Sequence, residues 1–413
     1  MRAIGGLGRG LRGLATLGCL AVASVTACAG AGSGASSSAT GPGRAPTGPA
    51  AGALAAAGAP VAVASAVVPG AKAAPHARAT ARATGSRAAG TTQGAAPAAA
   101  GNPDGHAAVP SAGQAVDTSH PDHVIGNGTP ASCTSAAVAA AVAAGGIITF
   151  SCGPSPVTIT MTGTATVGTG SHLVVLDGGG KVTLSGGGKT EILSMNAGWQ
   201  QQWPQLVVQN LAFTGAYSGT QQASGSSVYG GGAIFDEGGQ LKVVNSVFTG
   251  DSCFATGPDL GGGAIRAVGM YPASPVYVSG DTFSGNSCSN GGALSGLFAH
   301  FDVINCLMTG NKAIGFGANP AKAGTPGGGS GGAIYTDGTG YDLDISGTVM
   351  RDNSAREGGG GIFFVVNSGG GTLRIESSTL QDNPSGAFQN APGIFDSVNG
   401  QDTQPVEVGS SVG

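Results

Sequence analysis

The charged residues beside a repeated Gly-Gly-Ala-Ile phrase are the first candidates for chemistry. Arg266 directly follows one copy of this phrase, and Phe235 holds the same position in the preceding copy. Asp236 and Glu237 come directly after Phe235, so Arg266 is expected on an outward column within one repeat of two carboxylates. Such a trio can hold a calcium-bridged uronate, with Arg266 as the base or charge stabiliser of an elimination reaction. The alternative is a surface ion pair of little energetic consequence.

A cluster of aromatic residues is the second candidate site, because aromatic residues make up only 5% of the chain. Trp199 and Trp203, the only tryptophans, come shortly before Tyr217 and Tyr229, which flank a polar insertion rich in Ser, Gly and Gln. Aromatic rings stack on the apolar faces of sugars, and amide side chains bond sugar hydroxyls. The cluster therefore predicts a carbohydrate-binding surface. The alternative is that the tryptophans only cover the flank of the protein.

The cysteines predict two disulfides and an oxidising compartment. Cys133 and Cys152 bracket a predicted helix, so that a bond between them would pin this helix to the strand that follows. Cys253 and Cys288 each lie five residues after the apolar residue of a repeat, so they are expected to stack in adjacent coils within disulfide range. Cys306 occupies a strand position and is expected to be a buried thiol.

Metal and nucleotide sites are not predicted. His120 and His123 lie three residues apart in a proline-containing loop, with no Cys and no third His nearby, which is weak support for a metal site. Phosphate-binding loops, Ser-His-Asp order and the His-Glu-x-x-His zinc motif do not occur in the sequence. No cofactor is expected, and calcium enters only under the elimination chemistry described above.

Two short sequence motifs recur along the chain, and the structure they build must position these candidate residues. Their spacing of roughly 25 to 42 residues is in the range of repeat lengths found in solenoid proteins. The glycine pairs of the first phrase begin at Gly231, Gly262, Gly291, Gly331 and Gly359. The apolar anchors of the second phrase are Phe213, Phe248, Phe283, Met308, Met350 and Leu380. Short alternating strands separate the phrases, and no helix-length apolar period follows Gly146. The pattern predicts an all-β fold, a single parallel β-helix solenoid in which the anchors form one interior column.

The repeat resembles that of the polymorphic outer-membrane protein family, whose signature combines Gly-Gly-Ala-Ile with Phe-x-x-Asn. Phe283-Ser-Gly-Asn286 matches the second element fully, and the resemblance covers about residues 205 to 390. It implies a right-handed parallel β-helix of the pectin-lyase-like superfamily, displayed at a cell surface. That family ends in a membrane β-barrel, whereas this chain ends at Gly413, so self-export through an outer membrane is not expected.

The start of the solenoid resembles the opening of many bacterial pectin-lyase-like proteins. A short apolar helix near residues 132–144 begins with Ser and Thr and ends at Gly145-Gly146, with a strand directly after it. In those proteins the helix covers the exposed end of the solenoid. We expect the same capping role here, because an open end would expose strand edges and core.

The N-terminal third predicts export followed by a tether. Residues 1–29 read as an export signal, with three arginines before an apolar stretch too short to span a bilayer. The segment ending at Cys28 resembles a bacterial lipobox, which would make Cys28 a lipid-modified N-terminus. The alternative is ordinary cleavage and free secretion. Residues 30–117, rich in Ala, Gly, Pro, Ser and Thr, predict a disordered tether, followed by the β-helix at 118–400 and a C-terminal tail at 401–413.

Charge is distributed unevenly along the chain and limits the choice of partner. Residues 1–103 contain eight basic and no acidic residues, so the remaining 310 residues contain nine basic and 21 acidic residues, a net charge of −12. Such a surface repels nucleic acid and polyanionic sugars. A monomer is expected that binds cell-wall or extracellular polysaccharide, with membrane contact only through a lipid anchor.

Fold alone does not define function, because β-helices include lyases, hydrolases, adhesins and inert stalks. The polygalacturonase-type set of Asn-Thr-Asp, Asp-Asp and Gly-His-Gly does not occur in this sequence. We therefore expect an extracellular carbohydrate-binding or adhesive scaffold at the bacterial cell surface. The alternative is a polysaccharide lyase or glycoside hydrolase of the pectin-lyase-like superfamily.

Overall fold

The chain winds as a parallel β-helix in which each coil crosses three long sheets. The computed structural model describes residues 91–219, 229–258, 260–317 and 325–413. We number the sheets 1, 2 and 3 in the order in which a coil crosses them, and we name each corner by the two sheets that it joins. The all-β prediction with one short capping helix is confirmed for the described residues.

The strands are short, and each coil contributes one strand to each sheet; Thr91–Gln93 and Gln401–Asp402 are added antiparallel at the ends of their sheets. In the described residues sheet 1 contains His123–Ile125, Gly146–Phe150, Leu173–Asp177, Gln205–Gln209, Gln240–Val244, Val276–Ser279, Phe301–Ile304, Leu343–Ser346, Leu373–Glu376 and Val406–Val408. Sheet 2 contains Thr91–Gln93, Val157–Thr160, Val182–Ser185, Ala212–Thr214, Val247–Thr249, Thr282–Ser284, Leu307–Thr309, Val349–Arg351, Thr379–Gln381 and Ser411–Val412. Sheet 3 contains Ala165–Thr166, Leu193–Asn196, Ile234–Glu237, Ile265–Val268, Leu294–Leu297, Ile334–Thr339, Ile362–Ser368, Ile394–Val398 and Gln401–Asp402.

Smaller elements lie at the corners and at the start of the solenoid. A fourth, three-stranded sheet at corner 2/3 contains Ser287–Cys288, Lys312–Ala313 and Ser354–Ala355. Two 3-10 turns span Ser111–Gly113 and Pro130–Ser132. The only α-helix in the described ranges is Ser135–Ala144.

The apolar anchors of the repeat form the predicted interior column in sheet 2. Each anchor is the register partner of the next, in the order Phe213, Phe248, Phe283, Met308, Met350 and Leu380. The rings of Phe213, Phe248 and Phe283 lie parallel with 4.8 Å between successive centroids, which is the strand spacing of a sheet. The repeated phrase therefore places one apolar side chain per coil at the same point of the core.

A ladder of buried asparagines runs beside this column, at the start of corner 2/3. The side chains of Asn286, Asn311, Asn353 and Asn383 form it, and each amide oxygen accepts from the backbone N–H of the residue one coil earlier. The Asn286 amide also donates to the Phe248 carbonyl at 3.2 Å, and the other three make the equivalent bond. The ladder satisfies turn groups that the sheets leave unpaired.

The capping helix begins three residues later than predicted. Pro130–Ser132 forms a 3-10 turn, and Thr134 caps the α-helix by accepting from the Ala137 N–H at 3.2 Å. The helix ends at Gly145, whose φ of 81° is unfavourable for other residues. Val138, Ala141 and Val142 are buried against the first coils, so the helix covers the core there.

The disulfides connect the cysteines as the spacing predicts. Cys133 is bonded to Cys152, with 5.7 Å between their Cα atoms, and this bond ties the start of the helix to the strand that follows. Cys253 is bonded to Cys288 across adjacent coils, with 4.8 Å between their Cα atoms. Cys306 is a buried free thiol.

The prediction of a disordered tether through residue 117 is wrong for residues 91–117. Thr91–Gln93 pairs antiparallel with Val157–Thr160, and residues 101–118, which we call the strap, lie along corner 1/2 and the outer face of sheet 1. Composition did not reveal this segment, because its backbone rather than its side chains makes most of the contacts. Residues 1–90 lie outside the described residues, and with them the predicted export signal and Cys28.

The predicted C-terminal tail also belongs to the solenoid. Val406–Val408 pairs with Leu373–Glu376 in sheet 1, and Ser411–Val412 pairs with Thr379–Gln381 in sheet 2. These strands lack the glycine phrase that marked the earlier coils, so the repeat pattern alone did not include them. The solenoid continues to the last residues of the described chain.

Candidate functional site

The predicted trio of Arg266, Asp236 and Glu237 is not assembled into a site. Side chains alternate across a strand, and Asp236 points into the solenoid, where its register partners Met195 and Ala267 belong to the core. Burial raises its pKa well above the ordinary value. Glu237 accepts from the Asn196 amide at 3.1 Å on the outer face. Sheet 3 therefore separates the two carboxylates.

Arg266 lies on the outer face of sheet 3, as the repeat predicts, but it is buried rather than exposed. Its side chain is 1% accessible and donates to the Ser295 hydroxyl of the next coil. Gly261 lies over the guanidinium, because corner 2/3 folds back across the sheet. Phe235, one coil before Arg266, and Tyr335, two coils after it, hold the same register position and are also buried. A base or charge stabiliser that must meet a polymer would need exposure that Arg266 does not have.

The two tryptophans lie on corner 3/1 and remain exposed. Trp199 and Trp203 are 45% and 42% accessible, although both are held by neighbouring rings. Trp203 stacks on His172, with 5.2 Å between centroids and an interplanar angle of 4°. Trp199 meets the ring of Phe298 edge-on at 5.1 Å. Partly exposed rings that neighbouring groups hold in place are suited to stacking against a ligand.

Tyr217 and Tyr229 lie on a different corner from the tryptophans. Both belong to corner 2/3, where Tyr217 bridges to Ser252 of the next coil and Tyr229 packs on the Cys253–Cys288 disulfide. The polar insertion between them, residues 220–228, lies outside the described residues. The four aromatic residues thus share neighbouring coils, as predicted, but they do not form one surface.

A cleft next to the tryptophan corner contains a set of acidic residues that the sequence reasoning missed. It encloses about 220 Å³ between the loop 272–275 and the residues His300, Asp302, Asp342 and Asp344. Asp302 and Asp344 are register partners on the outer face of sheet 1. Burial and the neighbouring Asp344 carboxylate raise the pKa of Asp302 to about 6. Burial and Asp342 raise the pKa of Asp344 as well.

His300 forms the wall of the cleft beside Asp342. Its Nδ1 atom accepts from the Asp342 N–H at 3.1 Å, so the proton of the neutral ring is on Nε2. The Asp342 carboxylate lies 3.7 Å from the same nitrogen and accepts from the Thr372 N–H. The sequence carries one signal of this cleft: an aspartate, Asp302 or Asp344, is the second residue of two successive strands of sheet 1. In the sequence each of them resembles an ordinary polar residue on the outer face of a strand.

Corner 3/1 brings the aromatic rings and the carboxylates onto one side of the solenoid. Phe298, which contacts Trp199, comes two residues before His300 at the edge of the cleft. Within the described ranges no group of three His, Cys, Asp or Glu residues is arranged to hold a metal ion. No helix among these residues is long and apolar enough to cross a membrane.

Comparison of the chain with protein-family models, curated proteins and solved structures finds no match. The sheet topology alone defines the class of this protein as a parallel β-helix. Membership of the polymorphic outer-membrane protein family or of the pectin-lyase-like superfamily remains a prediction from the repeat.

Proposed function

We propose that this protein is an extracellular bacterial β-helix that binds carbohydrate through corner 3/1. The proposal rests on one observation. Trp199 and Trp203 are both exposed, yet their rings already pack against Phe298 and His172, respectively. Side chains ordered before binding lose little further entropy when a ligand stacks on them. A scaffold that holds a glycan by such rings needs no catalytic group.

The charge of the solenoid supports a neutral glycan as the ligand. The cleft beside the tryptophans contains three aspartates, and the residues after 103 carry a net charge of −12. An anionic polymer would be repelled along the whole corner. The two disulfides are consistent with an oxidising compartment outside the cytoplasm. We further propose that the N-terminal signal exports the chain, either as a lipoprotein anchored at Cys28 or as a free secreted protein.

Replacing Trp199 and Trp203 by Ala should abolish retention on neutral polysaccharides. Each ring is expected to contribute about tenfold in affinity, since stacking contacts contribute roughly 0.5–1.5 kcal/mol beyond area burial. The measurement is affinity electrophoresis against a panel of neutral and acidic wall polysaccharides. Phe254→Ala is the matched control, because Phe254 is 38% accessible on corner 2/3. Equal losses in the control and the Trp variants would contradict a binding surface at corner 3/1.

Glycoside hydrolysis is the second candidate, and the aspartate pair in the cleft favours it. A general acid needs a raised pKa, and Asp302 has a pKa of about 6 beside Asp344. Under this proposal the parent releases reducing ends from a glycan that it binds, at a rate that falls above about pH 6 as Asp302 loses its proton. Asp302→Asn should lower that release at least about 100-fold without lowering binding. Binding without any release by the parent favours the scaffold.

A further inference from the structure

The strap is held mainly through its backbone, by side chains of the solenoid. Asn305 donates to the Ala107 carbonyl and accepts from the Ala107 N–H, both at 2.9 Å. Gln209 makes the same pair of bonds with Val116, at 3.0 and 2.8 Å. An amide side chain that binds both the N–H and the carbonyl of one residue recognises the peptide backbone. The recognition does not depend on the side chain of that residue.

Two further solenoid side chains bind strap carbonyls between these points. Lys242 Nζ donates to the Gln114 carbonyl at 2.7 Å, and the Ser279 hydroxyl donates to the Gly113 carbonyl at 2.9 Å. These donors belong to successive coils of sheet 1, whose strands pair in parallel, from Lys242 with Tyr277 to Val244 with Ser279. The groove formed by Gln209, Lys242, Ser279 and Asn305 is thus built by the solenoid and not by the strap.

Glycines make this groove selective for the sequence of the strap. A Cβ at Gly105 would lie 2.7 Å from the Gly347 carbonyl oxygen, and a Cβ at Gly113 would lie 2.9 Å from the Tyr277 ring. A Cβ at Gly101 would lie 2.8 Å from the Gly280 carbonyl oxygen. A peptide that fits the groove must therefore carry glycine at the positions of Gly101, Gly105 and Gly113. These positions are fixed relative to the two residues whose backbone the amides bind, Ala107 and Val116.

We propose that the groove is a peptide-binding surface and that the partner it fits is the strap of a second copy of this chain. Gly101 and Gly113 are the only buried residues of the strap and the others are at least partly exposed, so a strap can leave the groove without removing large apolar side chains of its own from the core. The groove would then present its amides to any extended peptide with the same glycines. Within one copy the connected strap competes at an effective concentration on the order of millimolar, so exchange requires that a strap be displaced.

A complementation experiment with two full-length variants tests this exchange. The first variant carries Gly105→Val and Gly113→Val, which expel its strap but leave its groove intact. The second carries Asn305→Gly and Gln209→Ala, which remove the paired amide contacts but leave its strap intact. Glycine suits position 305, because Gly280 and Gly347 occupy the same turn of neighbouring coils with positive φ. Each variant alone should sediment as a monomer, and the mixture should form a one-to-one complex.

A synthetic peptide of residues 99–120 supplies the specificity control. It should dissociate the complex and bind the first variant at least about tenfold more tightly than the same peptide with valine at positions 105 and 113. Asn245→Gly in place of Asn305→Gly is the matched groove control, since Asn245 makes no hydrogen bond with the strap in the described residues. If the valine substitutions prevent folding, Ala107→Pro replaces them, because it removes the N–H that Asn305 binds. Folded variants that form no complex, or equal binding of both peptides, would overturn the proposal.

Discussion

Replacing Asp251 by Asn should stabilise the protein, and the gain should grow as the pH rises from about 4 to about 8. Asp251 occupies the first position of the asparagine ladder, and its backbone N–H donates to the Asn286 amide oxygen. Its own Oδ1 accepts from the Ala216 N–H at 2.8 Å, as the asparagines do one coil further on. An asparagine there would keep this bond and supply the N–H donor that every later position uses.

The pH dependence follows from the proton on the buried carboxyl group. Burial raises the pKa of Asp251 to about 8, against a bond from Ala216 that lowers it. Its Oδ2 atom is buried with no hydrogen-bond partner in the described residues. Between pH 4 and pH 8 the unfolded chain has lost the proton while the folded chain retains it. The free energy of unfolding therefore falls by up to about 1.4 kcal/mol per pH unit across this window.

Urea denaturation at several pH values measures this prediction. Below about pH 4 both states are protonated, so the difference between Asp251→Asn and the parent should be small; by pH 8 it should reach a few kcal/mol. Asp236 and Asp281 are also buried with raised pKa values, so both proteins retain a common pH dependence. Asn286→Asp, the reverse change one coil later, should introduce an additional loss above pH 4. A difference that stays constant from pH 4 to pH 8 would contradict a proton held at Asp251.

The sheets were predictable because each coil repeats one physical requirement. An apolar residue must face the core at the same point of every turn, and a small or amide residue must end the strand, so the pattern in the sequence reports the register directly. The column from Phe213 to Leu380 and the Cys253–Cys288 bond both follow from this requirement. These features depend on spacing within the repeat and on nothing outside it.

The candidate site was less predictable, because it depends on the irregular corners between repeats. The alignment placed Arg266 on the outer face correctly, but the length of a loop does not reveal whether it folds back over the sheet and buries the guanidinium. The aspartates of the cleft alternate like ordinary surface residues, and only the neighbouring loop 272–275 makes them a pocket. The strap was missed because Ala, Gly and Pro carry no pattern when the solenoid binds their backbone.

Phe248→Ala should destabilise the solenoid by about 3–5 kcal/mol, the cost typical of removing a buried phenylalanine. The ring of Phe248 is fully buried and lies between Phe213 and Phe283, with 4.8 Å to each centroid. Both neighbours lose a stacking partner, and rigid backbone ladders on either side prevent the coils from closing the cavity. The result is expected as a lower midpoint in urea denaturation, with hydrogen exchange accelerated mainly in the coils of Phe213 and Phe283, since each coil contacts only its neighbours.

Phe248→Met is the matched control for this change. Met308 and Met350 hold the same register position two and three coils later, so the column already accepts a methionine with the backbone unchanged. A flexible thioether fills most of the space of the ring, and the expected cost is below about 1.5 kcal/mol. The difference between the two variants isolates the cavity from the loss of ring stacking. If methionine were as costly as alanine, stacking of the three rings rather than filled volume would stabilise this part of the core.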